Sequence, residues 1–251
     1  MDPSEYQTIY TVEDRHWWYT GMRRITLALL DEAYGPRADL DILDAGSGAG
    51  AALGYLARFG RVTGIDYSPL ALHFCHARAH SRLAQASVTA LPFAPASFDL
   101  VTSFDVLYHR AVGDPGDALR DFHRVLRPGG RVLLRLPAYD WLRGRHDTVI
   151  HTARRFTTSR LSDMLCENGF SIERLTYANT LLFPAAAAKR LLESLFPAPP
   201  PGHSDVAPNP PWLATPLPPV LGVEAAWLRR RDLPFGLSVI AVARKVMTND
   251  E

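Results

Sequence analysis

The 251-residue chain carries 27 Lys and Arg against 26 Asp and Glu, a formal net charge of +1, and 47% of it is hydrophobic. That balance excludes the basic footprint of a nucleic-acid-binding protein, and the length allows one large core with an added cap or insertion rather than two independent domains. The two cysteines, Cys75 and Cys166, lie far apart without metal-ligand spacing, and no apolar run approaches the ~18 residues a membrane helix needs. Neither a disulfide framework, a zinc site nor a membrane span is therefore expected. The polar, acidic start MDPSEYQTIYTVEDRHWW does not read as a secretory signal, so a cytoplasmic location is expected.

Residues 1–14 show no periodic pattern. From His16-Trp17-Trp18-Tyr19 an aromatic segment leads into Met22, Ile25, Leu27, Leu29 and Leu30, which predict a helix ending near Gly35-Pro36. The two tryptophans face different sides of it, so one can pack on the core while the other meets a loop or ligand. Ile42 and Leu43 fit a buried strand, followed by a turn through Gly46, Ser47, Gly48 and Gly50 into a helix at about 50–59. A second strand then runs from Gly60 to Asp66.

This turn has two readings. The glycines either make only a tight strand-to-helix turn or let a nucleoside-containing ligand approach the backbone. Asp66, at the carboxyl end of the second strand, is placed to accept both hydroxyls of a ribose. The spacing Gly46-x-Gly48-x-x-Ala51 with Asp66 also satisfies a dinucleotide fingerprint, so the turn alone leaves the cofactor open.

Ser68-Pro69 starts a helix running to about His80, with Ser68 as N-cap. His73, His76 and His80 recur on it and read as a polar outer face rather than a metal site. Leu83 to Val88 reads as a third strand, Ser97 to Phe104 as a fourth, Pro115 to Leu126 as a helix and Arg131 to Leu136 as a fifth strand. Residues 137–157 form a long connection rich in aromatics, histidine and arginine, a length that usually marks function. A helix from Thr158 to Asn168 is closed by Gly169, and Phe170 to Tyr177 is a sixth strand. Residues 184–196 are amphipathic, the stretch to Pro219 holds ten of the twenty prolines, residues 222–231 can form a helix, and Leu237 to Arg244 is a closing strand.

Several features coincide: Asp44-Ala45-Gly46-Ser47-Gly48-Ala49-Gly50, Asp66, Leu91-Pro92-Phe93 before Ser97-Phe98-Asp99-Leu100-Val101, and Leu126-Arg127-Pro128-Gly129-Gly130 before a strand. Together they resemble class I S-adenosylmethionine-dependent methyltransferases over roughly residues 38–180. The resemblance implies an α/β, Rossmann-like, seven-stranded mostly parallel sheet in the order 3-2-1-4-5-7-6, strand 7 antiparallel, with helices on both faces. Residues 1–36 would form an N-terminal helical cap and 37–251 the S-adenosylmethionine-binding domain, with a proline-rich insertion at about 184–232. The methionine part of the cofactor would lie against Asp44, Gly46, Ser47 and Gly48, the ribose on Asp66, and the adenine beside Tyr67. The family often has an aspartate for the adenine amino group where this chain has Ser87, which leaves the Ser87 hydroxyl and Val88 backbone as substitutes. Phe104 matches the position that closes over the cofactor.

Methyl transfer asks mainly that donor and acceptor be held in line, with a general base adding a further ~10²–10⁴-fold for a hydroxyl or a protonated amine. His109, after the fourth strand, is the first candidate base, and His146 and Asp147 follow, with His151 beside them. The alternatives are a capping or surface role for His109 and, for His146-Asp147, an ion pair with Arg154 or Arg155 that fixes the loop. The expected partner is a small-molecule acceptor, with no nucleic acid, in a monomer or homodimer. Competing readings are a cyclase-like enzyme using the cofactor structurally, a nicotinamide-dependent oxidoreductase, and a non-catalytic binding module.

Overall fold

The computed structural model describes residues 2–195 and 217–246. Its strands are β1 (Leu40–Ala45), β2 (Gly60–Asp66), β3 (Leu83–Gln85), β4 (Phe98–Phe104), β5 (Leu126–Pro137), β6 (Phe170–Ala178) and β7 (Ser238–Lys245). Its helices are α1 (Pro3–Val12), α2 (Trp17–Tyr34), α3 (Ala51–Leu56), α4 (Pro69–Ala77), α5 (Pro115–Val125), α6 (Arg145–Val149), α7 (Thr158–Glu167), α8 (Phe183–Leu195) and α9 (Leu217–Leu228). The strands form one sheet in the order β3-β2-β1-β4-β5-β7-β6. β3, β2, β1, β4 and β5 pair in parallel, and β7 runs antiparallel between β5 and β6. Sheet order and strand direction are those the motif set implied.

The apolar strands are buried because helices cover both faces, and successive side chains feed opposite cores. Val132, Leu134 and Leu136 of β5, with Val239 and Ala241 of β7, meet Leu119 and Phe122 of α5 and Leu161 and Leu165 of α7. Leu133, Ile240 and Val242 point the other way, toward Met22, Ile25 and Leu29 of α2 and Leu228 of α9. Each such side chain contributes roughly 1.5–3 kcal/mol on burial. α2 begins at His16, whose Nδ1 accepts the Trp18 N–H at 3.3 Å, and stops at Gly35 with φ 66°.

Four elements differ from the sequence reading. Residues 3–12 lack periodicity yet form α1, because Tyr10 stacks on Phe74 of α4 at 4.8 Å and Arg78 lies over the Tyr10 ring. β3 stops at Gln85 rather than Val88, since Ser87 bridges to Ala90 and turns the chain. β5 begins at Leu126, where Phe98 supplies a pairing partner before the glycine turn. The connection 137–157 holds a 3-10 turn (Asp140–Leu142) and α6 rather than a structureless loop. The proline-rich stretch up to residue 216 lies outside the described residues. No described helix is long and apolar enough to cross a membrane.

Gly60 pairs with Leu40, and a methyl group on it would lie 2.0 Å from the Leu40 carbonyl oxygen, whereas one on Gly54 of α3 would meet nothing within 4 Å. Gly60→Ala should therefore lower the urea-unfolding free energy by about 2–4 kcal/mol, and Gly54→Ala should raise it by about 0.5–1 kcal/mol. Equal midpoints for the two variants would contradict this packing.

Candidate active site

The sheet order reverses between β1 and β4, and the crevice beyond their carboxyl ends is where open α/β sheets bind ligands. Asp44 ends up there beside its register partner Thr102, whose hydroxyl donates to Asp44 Oδ1 at 2.7 Å. The chain then turns sharply. Gly46 and Ser47 donate their N–H groups to the Ile65 carbonyl of β2 at 2.9 and 2.8 Å. Gly46 has φ 96°, and a Cβ there would strike Val106 at 2.2 Å; Gly48 has φ 53°, and a Cβ there would enter open space. The backbone at Gly48 is thus open to close approach.

Around this turn lies a cavity of about 1080 Å³. Asp44, Gly46, Ser47, Gly48, Asp66 and Tyr67 border it at the ends of β1 and β2, Ser87 and Val88 after β3, and Phe104 at the end of β4. Asp44 is 1% exposed, and its Oδ2 has no hydrogen-bond partner among the described residues. Burial pushes its carboxyl up to about 7, against the opposing pull of the Thr102 hydrogen bond and the Arg135 charge. Asp66 accepts the Gly48 N–H on Oδ2 at 3.0 Å and the Ser68 N–H on Oδ1 at 2.9 Å, so the carboxylate braces the glycine turn and keeps lone pairs for a ligand. Burial raises its pKa, which those two bonds partly oppose. Tyr67 is 74% exposed, a flat ring at the rim. The Ser87 hydroxyl is engaged with Thr89 Oγ1 at 2.8 Å.

His109 borders the cavity, and its Nδ1 accepts the Ala111 N–H at 3.0 Å. Burial, with His151 and Arg110 adding to it, lowers its pKa to about 4, so the ring is neutral at pH 7. With Nδ1 accepting, the proton is assigned to Nε2, and the ring presents a donor rather than a basic lone pair. Asp147 is 3% exposed and also borders the cavity, but both its oxygens receive Arg155, Nε and Nη2 each at 2.9 Å, and Oδ2 also takes the Gly144 N–H at 2.7 Å. Burial would raise its carboxyl, yet the Arg155 bonds and charge hold it below the usual carboxylate range. This is the loop-fixing ion pair with Arg155, and its lone pairs are spent on it. The backbone of His146 lies in α6; its side chain lies outside the described residues.

The sequence reading missed three groups on the cavity wall. Arg135 and Asp105 form an ion pair in which Arg135 Nε and Nη2 both reach Asp105 Oδ2, at 2.8 and 2.7 Å. Tyr19 of α2 is half-buried beside them, its phenol pKa raised by burial and then by the charges of Glu13 and Asp105. Glu13, at the end of α1, is pushed up to about 7 by burial although Arg78 sits 2.9 Å away. Arg135 had a readable signal, since it is the one charge inside Val132-Leu133-Leu134-Arg135-Leu136, a run that is otherwise doubly covered. Both adjacent tryptophans border the cavity, and Trp18 also packs on the α2 core.

Removing one partner of a buried pair strands the other charge. Arg155→Ala should lower stability by about 3–5 kcal/mol in chemical denaturation, while a joint Asp147→Asn, Arg155→Gln change should recover much of that loss. A loss below ~1 kcal/mol for the single change would remove the pair from its structural role.

A methyltransferase-domain family model matches residues 43–134, which run from β1 to β5. The malonyl-[acyl-carrier protein] O-methyltransferase of Pseudescherichia vulneris is 34% identical over 142 residues, 56% of this chain and 54% of the relative. A 37.1 kDa protein in transposon TN4556 of Streptomyces fradiae is 31% identical over 158 residues, 60% of this chain and 45% of that protein. The chain thus spans about half the length of these curated relatives. Among solved structures, a chain of the complex between the Haloferax volcanii Trm112 methyltransferase activator and a methyltransferase superposes with a TM-score of 0.62 at 20% identity, covering 99% of this chain and 96% of that one. Residues 43–134 thus match a methyltransferase domain, and they sit in a seven-stranded sheet with the order and the glycine turn that the resemblance to class I S-adenosylmethionine-dependent methyltransferases implied.

Proposed function

We propose that this chain transfers a methyl group from S-adenosylmethionine to a small-molecule acceptor by in-line displacement. The observation that carries this reading is the half-satisfied Asp44 carboxylate, 1% exposed with Oδ2 unpartnered among the described residues, beside an open Gly48 backbone and within the same cavity as Asp66. A buried carboxylate without a partner fits a cationic group, here the ammonium of the methionine moiety. Gly46, Ser47 and Gly48 let that moiety lie against the backbone, and Asp66 takes the ribose hydroxyls. Tyr67, Ser87 and Val88 flank the adenine, and Phe104 closes over the cofactor.

When bound, the cofactor supplies a methyl group already activated on a sulfonium. The chain's own task is to position and to exclude water. A cavity of about 1080 Å³ exceeds the ~300–1,000 Å³ of a pocket for one drug-sized ligand, which supports room for donor and acceptor together. Trp17, Trp18 and Tyr108 line it, and they suit a small organic acceptor.

Calorimetric titration with S-adenosylhomocysteine tests the cofactor site. Asp66→Ala should weaken binding about 10- to 100-fold, the worth of hydrogen bonds to a charged group, and unchanged affinity would sink the assignment. The Asp44 carboxyl, raised to about 7, is largely neutral below that pH and ionised above it. Affinity should therefore climb as pH rises through about 7 and then level off. Asp44→Asn should flatten that profile; a profile unaltered in the variant would move the ammonium elsewhere.

A further inference from the structure

We propose that Asp105 holds the acceptor's nucleophilic hydroxyl and takes its proton, so that the acceptor class is a neutral O–H compound rather than a carboxylate. The inference rests on the methyl-transfer reading above.

Asp105 directly follows β4, at the reversal of strand order, and borders the cavity. Its backbone is in the left-handed region, φ 56°, a conformation that a non-glycine residue keeps only when its surroundings hold it. Two contacts do so. Its N–H donates to the Arg135 carbonyl at 2.8 Å, and Arg135 Nε and Nη2 converge on Oδ2. Both guanidinium bonds use one oxygen. Oδ1 has no partner among the described residues, and the Asp105 side chain is 33% exposed, so this oxygen is the carboxylate's free acceptor.

The surroundings suit proton transfer. Arg135, with its side chain 11% exposed and its guanidinium carbon 5.0 Å from the Phe104 ring centre, keeps the carboxylate oriented from behind. Tyr19 from α2 and Tyr108 from the segment after β4 are the titratable groups whose phenols feel the Asp105 charge, and burial, the larger cause, with that charge raises both above their ordinary range. They stay protonated and do not compete as bases. His109 presents N–H rather than a lone pair, and Asp147 is spent on Arg155. Among the described candidates, Asp105 Oδ1 is the open acceptor at the β4 end.

The step balances. The acceptor oxygen bonds to the methyl carbon as the carbon–sulfur bond breaks with its electron pair staying on sulfur, and the hydroxyl proton moves to Oδ1, from which it is lost to solvent. A carboxylate acceptor has no proton to give and would set its charge against Oδ1.

The test uses the whole chain, S-adenosylmethionine, and a panel of phenols and aliphatic alcohols beside carboxylic acids. Asp105→Asn keeps a residue type that tolerates positive φ, and the joint Asp105→Asn, Arg135→Gln change avoids a stranded buried cation. Expected are S-adenosylhomocysteine affinity within threefold of the parent in Asp105→Asn, methylation of hydroxyl compounds by the parent, and a fall of about 10²–10⁴-fold in kcat for un-ionised phenols in both variants. For a nitro-substituted phenol already ionised at the assay pH, the deficit should vanish or invert, since it has no proton to give and its charge no longer opposes Oδ1, which a merely structural defect would not reproduce. Methylation of carboxylic acids alone, no hydroxyl acceptor despite cofactor binding, or a deficit equal for ionised and un-ionised phenols would overturn the proposal. Failure of the parent to bind S-adenosylhomocysteine would instead overturn the methyltransferase reading itself.

Discussion

The site depends on the divergence of β1 and β4, whose connections leave the sheet in opposite directions and open a crevice beyond the strand ends at Asp44 and Thr102. Parallel pairing sets those two residues side by side, and the Thr102 hydroxyl satisfies one carboxylate oxygen at 2.7 Å. The second oxygen is buried with no hydrogen-bond partner among the described residues. Burial alone would favour protonating the group, so a positive ligand group gains most where the protein has left its own charge half-solvated. The glycine turn, the Asp66 brace and the cavity walls follow from that placement.

At the opposite end of the strands, charges serve as stitching. Arg127 reaches Asp41 at 2.9 Å and Asp99 at 2.6 Å, joining β1, β4 and the start of β5. Arg124 of α5 donates to the carbonyls of Leu91 and Phe93 at 2.9 and 2.6 Å, which holds the Leu-Pro-Phe loop onto the helix. Two of the motifs that carry the resemblance are therefore scaffolding: they set where the strands end and do not line the cavity.

Inside the cavity the charges are paired more tightly. Asp147–Arg155 and Asp105–Arg135 both sit where desolvation is costly, and a pair survives there only when its geometry is good and the remaining donors are met. The first pair meets this condition fully, with Arg155 Nη1 also donating to the Ala138 carbonyl at 2.9 Å. The second leaves one carboxylate oxygen uncommitted. Two ion pairs of the same composition thus divide into a loop clamp and an open site, and the difference lies in how the guanidinium approaches.

Most strands, the helices that follow them and the Gly46–Gly50 turn were legible in the sequence as local patterns with local physical causes, whereas the strand order came only through the resemblance that the motifs carry. α1 was invisible, because it is held by Tyr10 on Phe74 and by Arg78, residues more than sixty positions away. The histidine chosen as base was legible as a position, but its lone pair was not, since Ala111 claims Nδ1 only once the chain has turned. Asp105 and Arg135 stand thirty residues apart. The sequence by itself determined the strand runs, the glycine turn and the motifs that carry the resemblance, through patterns a few residues long. Only the tertiary structure decided which carboxylate was spent and which was left open, because that depends on the direction from which a distant guanidinium arrives.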